Sequence, residues 1–245
     1  MWKEWATAFV DLLFPPFCPL CRARLDEGRR DPLCGSCWDR LERLSPPYCR
    51  ICGRPLPTFD REGSPEASPC EPCRRRRPPF SYARAAALYG ERVREAVRAL
   101  KYEGKTALAR PLGDLMAEAG STMLVVNAVD CLVPVPLHPS REAERGFNQS
   151  MLLASRVSRR WGIPIVSRAL RRQRPTPPQT DLDADERRRN VKGAFAVSRP
   201  GAVNGQHVLL IDDVFTTGAT VSECARLLLD AGARTVGVLT VSRVA

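Results

Sequence analysis

The chain has 245 residues, 44% of them hydrophobic and 27% charged, with a formal net charge of +11. That length accommodates one large domain or two small ones. No apolar run approaches the roughly 20 residues of a membrane span, and Glu4 and Asp11 interrupt the N-terminus where a signal peptide would be apolar, so a cytoplasmic protein without a membrane span is expected.

Trp2–Phe14 carries apolar residues at 2, 5, 9, 12 and 13. This spacing predicts a short amphipathic helix that ends before Pro15-Pro16. Eight of the ten cysteines then fall into four Cys-x-x-Cys pairs: Cys18/Cys21, Cys34/Cys37, Cys49/Cys52 and Cys70/Cys73. Each pair supplies two thiolates to one metal and two pairs close a tetrahedral site, so two structural zinc sites are expected, over a redox dithiol or disulfides. A closed four-thiolate site has no open coordination position and carries no catalytic role. Neighbouring pairing gives Cys18, Cys21, Cys34, Cys37 and Cys49, Cys52, Cys70, Cys73. It closes the shorter loops, but spacing leaves interleaved pairing open.

Residues 53–79 are rich in Pro, Gly and Ser and end in Arg74-Arg75-Arg76-Arg77-Pro78-Pro79, which reads as a linker or domain edge. The expected division is 1–80 and 81–245. Beyond it the pattern alternates in the α/β manner. Tyr82–Tyr89 reads as a strand, Glu91–Tyr102 and Thr106–Ala119 as helices, and Val129–Pro136 as a strand. Phe147–Trp161 reads as a helix starting near Asn148, and His207–Ile211 as a buried strand. Val221–Ala231 reads as a helix and Thr235–Val241 as a last strand. Gly104-Lys105-Thr106 imitates the end of a Walker A loop, but Ala99 stands where the first glycine is required and a helix precedes it, which argues against an ATPase. Cys131 and Cys224 sit in apolar contexts and read as core. His138 and His207 are too few and too scattered for a histidine-based centre.

Residues 141–192 hold 13 basic and 6 acidic side chains. Such a field suits a polyphosphate or a nucleic-acid backbone, and equally a solvated arginine-rich surface. Two zinc-loaded four-thiolate sites would each contribute −2, lowering the net charge from +11 to +7.

The segment 208–220 reads Val-Leu-Leu-Ile-Asp-Asp-Val-Phe-Thr-Thr-Gly-Ala-Thr. Asp212 and Asp213 are expected at the carboxyl end of a strand, where open α/β sheets bind ligands. Two carboxylates there suit two neighbouring sugar hydroxyls. The loop Thr216, Thr217, Gly218, Ala219, Thr220 opens a helix, and its amides and hydroxyls suit a phosphate. Asp and Thr as helix caps are the plainer alternative.

This thirteen-residue segment resembles the phosphoribosyl-pyrophosphate (PRPP) signature of type I phosphoribosyltransferases. Four further groups of residues resemble the ComF family of competence-associated proteins. They are Leu100-Lys101-Tyr102 with Gly104; Val133-Pro134-Val135-Pro136 with Arg141 and Arg145-Gly146-Phe147-Asn148-Gln149-Ser150; Arg174, Thr176 and Gln179; and Arg189-Asn190-Val191 with Ala194-Phe195. The four cysteine pairs resemble that family's double zinc ribbon.

The resemblance implies an α/β, type I phosphoribosyltransferase fold, a mostly parallel sheet flanked by helices, behind a small N-terminal double zinc ribbon. It implies PRPP or a related phosphoribosyl ligand bound with magnesium, and for some members a role in DNA uptake with a helicase partner. Single-stranded DNA is the matching alternative ligand. It assigns Asp212 and Asp213 to the ribose, the 216–220 loop to phosphate, and Arg141 and Arg145, in or after the loop Leu137–Arg141, to pyrophosphate oxygens. Asn148 and Gln149 are lesser candidates. Arg189 and Lys192 lie in a polar stretch, Asp181–Lys192, expected to be a lid or a solvated surface. The acceptor is left open.

Overall fold

The structure is a computed structural model that describes residues 16–25, 31–57, 66–175 and 184–245. The predicted helix Trp2–Phe14, together with Thr176, Gln179 and the start of the expected lid, lies outside them.

A short helix α1 (Gly35–Asp39), two paired stubs β1 (Tyr48–Cys49) and β2 (Glu66–Ala67), and helix α2 (Glu71–Arg75) carry the cysteine region. The main body follows with β3 (Tyr82–Leu88), α3 (Glu91–Tyr102), α4 (Ala109–Met123), β4 (Cys131–Pro134), α5 (Pro139–Arg145) and α6 (Gln149–Trp161). After these come β5 (Leu170–Arg172), α7 (Ala184–Val191), β6 (Phe195–Val197), β7 (His207–Phe215), α8 (Ala219–Asp230) and β8 (Thr235–Arg243).

The central sheet has the order β3-β8-β7-β4, with every neighbouring pair parallel. Parallel strands covered on both faces read as continuous apolar runs, and β7 and β8 are buried along nearly their whole length. Alternate residues supply two cores. Leu132, Leu209, Ile211 and Leu239 pack with α3, α4 and α6. Val133, Val208, Leu210 and Val238 pack with α8. Ile165 adds a parallel bridge on the free side of β4 at Leu132, while β5 and β6 form a separate antiparallel pair.

Chain direction across the sheet reverses between β4 and β7. From β4 the chain crosses by α6 to Ile165 on the outer side; from β7 it crosses by α8 to β8 on the inner side. The crevice at the carboxyl ends of these two strands is therefore the topological switch point, the usual ligand position in open α/β sheets.

The cysteine region covers the outer edge of β3, where Leu44 N donates to Ala86 O at 3.0 Å, Leu88 N to Glu42 O at 2.8 Å and Ala83 N to Ile51 O at 2.6 Å. An otherwise open sheet edge is thereby paired. Gly53 permits this approach: its φ is +69°, and a Cβ there would lie 2.6 Å from Ala83 O.

Several boundaries differ from the sequence reading. The strand expected to end at Ile211 continues through both acids to Phe215, because β8 keeps pairing to Arg243 after β4 has stopped at Pro134. Helix α8 starts at Ala219, so Ala219 and Thr220 belong to its first turn rather than to the loop. The expected loop after β4 gives way to α5, a helix with Pro139 at its start and His138 as its cap. Helix α6 begins at Gln149, with Asn148 as its cap and Phe147 outside it. Within the expected lid, Ala184–Val191 is helical.

Candidate functional site

Asp212 and Asp213 occupy β7 beyond the end of β4, and they are 8% and 4% exposed. Two acids at that depth need partners. Ser150 Oγ, at the start of α6, donates to Asp212 Oδ1 at 3.0 Å. The Asp213 backbone N donates to the same oxygen at 2.9 Å, and Val214 N to Asp213 Oδ1 at 2.9 Å. Lys101, at the last turn of α3, forms an ion pair through Nζ with Asp213 Oδ2.

The electrostatics follow from this crowding. Burial pushes the Asp212 carboxyl up to about 6, against the opposing pull of Lys101, the Ser150 hydroxyl and Arg172. Burial lowers Lys101 to about 8, with Asp212 holding it up and Arg145 pushing it further down. The crevice is thus a concentrated charge cluster in which Asp212 and Lys101 titrate nearer neutrality than they would in water.

Arg141 and Arg145 lie four residues apart on α5 and so share a helix face. Arg145 stacks its guanidinium 5.2 Å from the Tyr102 ring centroid and donates to Gln149 Oε1 at 2.5 Å. Burial and the nearby Arg141 lower its pKa, opposed by Tyr102. Arg172 of β5 is lowered by burial and then by Arg141, and it stacks on Phe195 at 5.3 Å. Arg141 thus lowers both Arg145 and Arg172, and three guanidinium groups gathered beside the crevice form a positive field suited to an anion.

Asn148 serves the backbone: its Oδ1 accepts from Ser150 N at 2.9 Å, capping α6, and its Nδ2 donates to Val135 O at 3.1 Å, tying the helix to the end of β4. Gln149 is 5% exposed and acts as the acceptor that orients Arg145. Thr216 and Thr217 form the turn, Gly218 caps α8 at φ +76°, and a Cβ at Gly218 would meet the Phe215 ring at 2.6 Å. The first amides of α8 follow directly, an arrangement suited to a phosphate. The crevice can therefore offer carboxylates to hydroxyls, amides to one anion and guanidinium groups to another.

Arg174 donates from Nη2 to Asn190 O at 2.8 Å and to Lys192 O at 3.1 Å, so it ties α7 to the β5–β6 pair. Arg189 and Lys192 are exposed.

The eight paired cysteines collect into Cys18, Cys21, Cys34, Cys37 and Cys49, Cys52, Cys70, Cys73, with the sulfurs of each set within 4.8 Å of one another. This is the neighbouring pairing. Four sulfurs at that spacing suit one tetrahedral zinc ion. The backbone supports thiolates as well: Cys70 N donates to Cys49 Sγ at 3.2 Å. Hydrogen bonding, first from Cys52, draws Cys49 down to about 4, and a hydrogen bond from Ser36 leads the fall of Cys34 to about 6. Burial pushes the Cys37 and Cys73 thiols up, and the shared hydrogen bond with Cys49 pushes Cys52 up. The two sets belong to opposite cores, Cys18, Cys34 and Cys37 with the α3/α4/α6 side and Cys49, Cys70 and Cys73 with the α8 side. Cys131 and Cys224 are buried core residues, 1% and 0% exposed.

Sequence reasoning gave no role to Lys101, Ser150, Tyr102 or Arg172. Lys101 ends an amphipathic helix and Ser150 opens one; nothing in the local pattern distinguishes either from a solvated residue. The motif spacing around Lys101-Tyr102 and Asn148-Gln149-Ser150 was the available signal.

Residues 9–74 match the family model of the double zinc ribbon domain, and residues 145–244 match that of the phosphoribosyl transferase domain. The chain is 36% identical over 231 residues to the DNA utilization protein YhgH of Escherichia coli O157:H7, covering 93% of this chain and 96% of that protein. It is 30% identical over 231 residues to competence protein F of Haemophilus influenzae, covering 92% and 96%. With competence protein ComFC of Bacillus subtilis the identity is 28% over 210 residues, covering 82% and 80%. No helix among the described residues is long and apolar enough to cross a membrane.

Proposed function

The chain belongs to the ComF family, which joins a double zinc ribbon to a phosphoribosyltransferase domain, and we propose that it binds PRPP with magnesium and transfers the phosphoribosyl group to an acceptor. The observation that carries the reading is the pair Asp212 and Asp213, buried at the switch point and followed at once by the Gly218 turn into α8. We assign the ribbon to 1–80 and the transferase unit to 81–245.

In this reading Asp212 and Asp213 accept hydrogen bonds from the ribose hydroxyls. The turn Thr216–Gly218 and the first turn of α8, with Ala219 and Thr220, hold the 5′-phosphate. Arg141 and Arg145 face the pyrophosphate. Magnesium, a hard cation suited to carboxylate and phosphate oxygens, would neutralise charge on the leaving group when bound. The two acids also favour the cationic sugar that develops as pyrophosphate departs. Lys101 and Ser150 hold those acids in place.

Isothermal titration of PRPP with magnesium into the zinc-loaded chain tests this. Binding is expected in the wild type and not in the folded Asp212→Ala/Asp213→Ala variant. A wild type that takes up no PRPP would overturn the reading.

A second reading is supported by the excess of basic residues in 141–192 and by the DNA-related names of the relatives. Here the same fold handles single-stranded DNA without turnover. It requires DNA binding that weakens steeply with salt and survives loss of both acids.

A further inference from the structure

A cavity of about 730 Å³ opens between the cysteine region, α7 and α8. It meets the proposed PRPP site only at Thr216, Thr217 and Ala219. None of Lys101, Arg145, Ser150, Asp212 or Asp213 lines it. We infer that this cavity is a second binding site, for a nucleoside 5′-phosphate.

Its walls have two characters. Pro72, Pro78, Pro79, Phe80, Val191 and Phe215 supply apolar surface, and the rings of Phe80 and Phe215 meet edge to face with centroids 6.0 Å apart. Around this surface stand seven cationic side chains and one acid. Arg54, Arg76 and Arg77 come from the cysteine region; Arg189 and Lys192 come from α7 and the residue after it.

The remaining two cations are already engaged. Arg226 pairs with Glu223 at 3.1 Å and with Asp230 at 2.7 Å. Arg243 donates to Cys52 O and stacks 5.1 Å from the Phe215 ring centroid. The one acid, Glu223, is also occupied, since it accepts from Gly193 N at 3.0 Å as well as from Arg226. Among the described residues, Arg54, Arg76, Arg77, Arg189 and Lys192 form no ion pair. A zinc-loaded Cys49–Cys73 centre in the wall would take back two charges and still leave the cavity positive.

Apolar surface suits the base, and a ring of cations that pair with no acid among the described residues suits the phosphate. The volume lies within the roughly 300–1,000 Å³ of small-molecule sites. A free nucleotide and the 5′-phosphorylated end of a strand present this same chemistry.

The test titrates AMP, a 5′-phosphorylated hexathymidylate and inorganic phosphate into the zinc-loaded full chain. It compares the wild type with Arg76→Glu/Arg77→Glu and with Asp212→Asn/Asp213→Asn. Both arginines are exposed, so their reversal leaves the fold intact. AMP or the hexanucleotide is expected to bind the wild type, at least tenfold more weakly to the arginine variant, and unchanged to the aspartate variant. AMP binding assigns the site to free nucleotides; binding of the hexanucleotide alone assigns it to strand ends. PRPP binding is expected to show the opposite dependence, so failure of this site and failure of the PRPP reading are separable. Nucleotide binding indifferent to Arg76 and Arg77, no binding of either nucleotide probe, or phosphate binding as tightly as AMP would each overturn the assignment.

Discussion

Lys101 Nζ reaches from the last turn of α3 to Asp213 Oδ2 on β7, with the lysine side chain 20% exposed and the aspartate 6%. An ammonium and a carboxylate so far withdrawn from water each depend on the other. Lys101→Met strands Asp213 as an unpaired buried charge and is expected to lower the unfolding free energy by about 3 kcal/mol. Adding Asp213→Asn removes the stranded charge and should recover most of that loss. Urea unfolding of the two single variants and the double variant closes the cycle. Additive losses would show that the pair does not couple the helix to the strand.

Asp212 gives the site a pH signature. Its folded pKa of about 6 lies above its ordinary value of 3.8. The folded state therefore binds the proton more tightly than the unfolded chain. The associated stability is complete below about pH 3.8 and is lost as pH rises through 6. The loss corresponds to something on the order of 3 kcal/mol. Asp212→Asn cannot ionise, so its unfolding free energy relative to wild type should rise between pH 4 and pH 6 and level off above that. A flat difference across this range would place Asp212 at an ordinary pKa. At neutral pH the wild type carries the charged form, the one the proposed ribose contact requires, at a cost in stability.

Much of this site is legible in the sequence because its parts are local. The run from Val208 to Thr220 contains strand, acids, turn and helix start in one stretch, and the structure brings them together at the switch point. Each Cys-x-x-Cys pair is likewise local, and the short-loop argument selects the grouping that the sulfurs adopt. What the sequence conceals is contact across the fold. Lys101 and Ser150 reach the acids from two helices distant in the chain, and their roles depend on how α3 and α6 pack on the sheet. The extension of β7 through Phe215 is hidden for the same reason, since it depends on the continued partner Arg243 in β8. Helix α5 is missed because Leu137–Arg141, with Pro139 inside it, reads as a loop after the strand, although Pro139 and Gly146 stand at positions where helices tolerate them, the first turn and the cap.

Gly218 is fixed by two independent demands, a positive φ of +76° and the Phe215 ring 2.6 Å from where a Cβ would lie. Gly218→Ala must strain the turn or displace the ring, and a loss of roughly 1–3 kcal/mol in thermal or urea unfolding is expected. Because Phe215 also stacks with Arg243, the displacement extends toward the cysteine region. PRPP affinity should fall with stability. Unchanged stability would show that the turn relaxes freely.

The two cysteine centres should behave as separable structural metals. Each is expected to hold one zinc, so mass spectrometry under native conditions should find two per chain. Cys18→Ser and Cys49→Ser should each release one of them. Because the Cys49 set packs into the α8 core and Cys52 O accepts from Arg243, loss of that zinc should lower the cooperative unfolding midpoint of the whole chain. A separate early transition with the main one unchanged would show that the ribbon is an independent unit.

Asn148 and Arg145 stand three residues apart in one motif, and the geometry gives them different work. Asn148 caps α6 and ties it to Val135 O, while Arg145 is held over the Tyr102 ring with Gln149 as its acceptor. Asn148→Ala removes a cap and should cost about 1 kcal/mol of stability, with PRPP affinity altered only slightly. Arg145→Gln removes a guanidinium whose pKa is already lowered by burial and by Arg141. Relief of that repulsion should leave stability unchanged or raised, while PRPP affinity drops at least tenfold. Unfolding curves and titrations on the two variants separate these outcomes. An Arg145 variant that loses stability and keeps its affinity would reassign the residue to holding α5 against α3 rather than to the ligand.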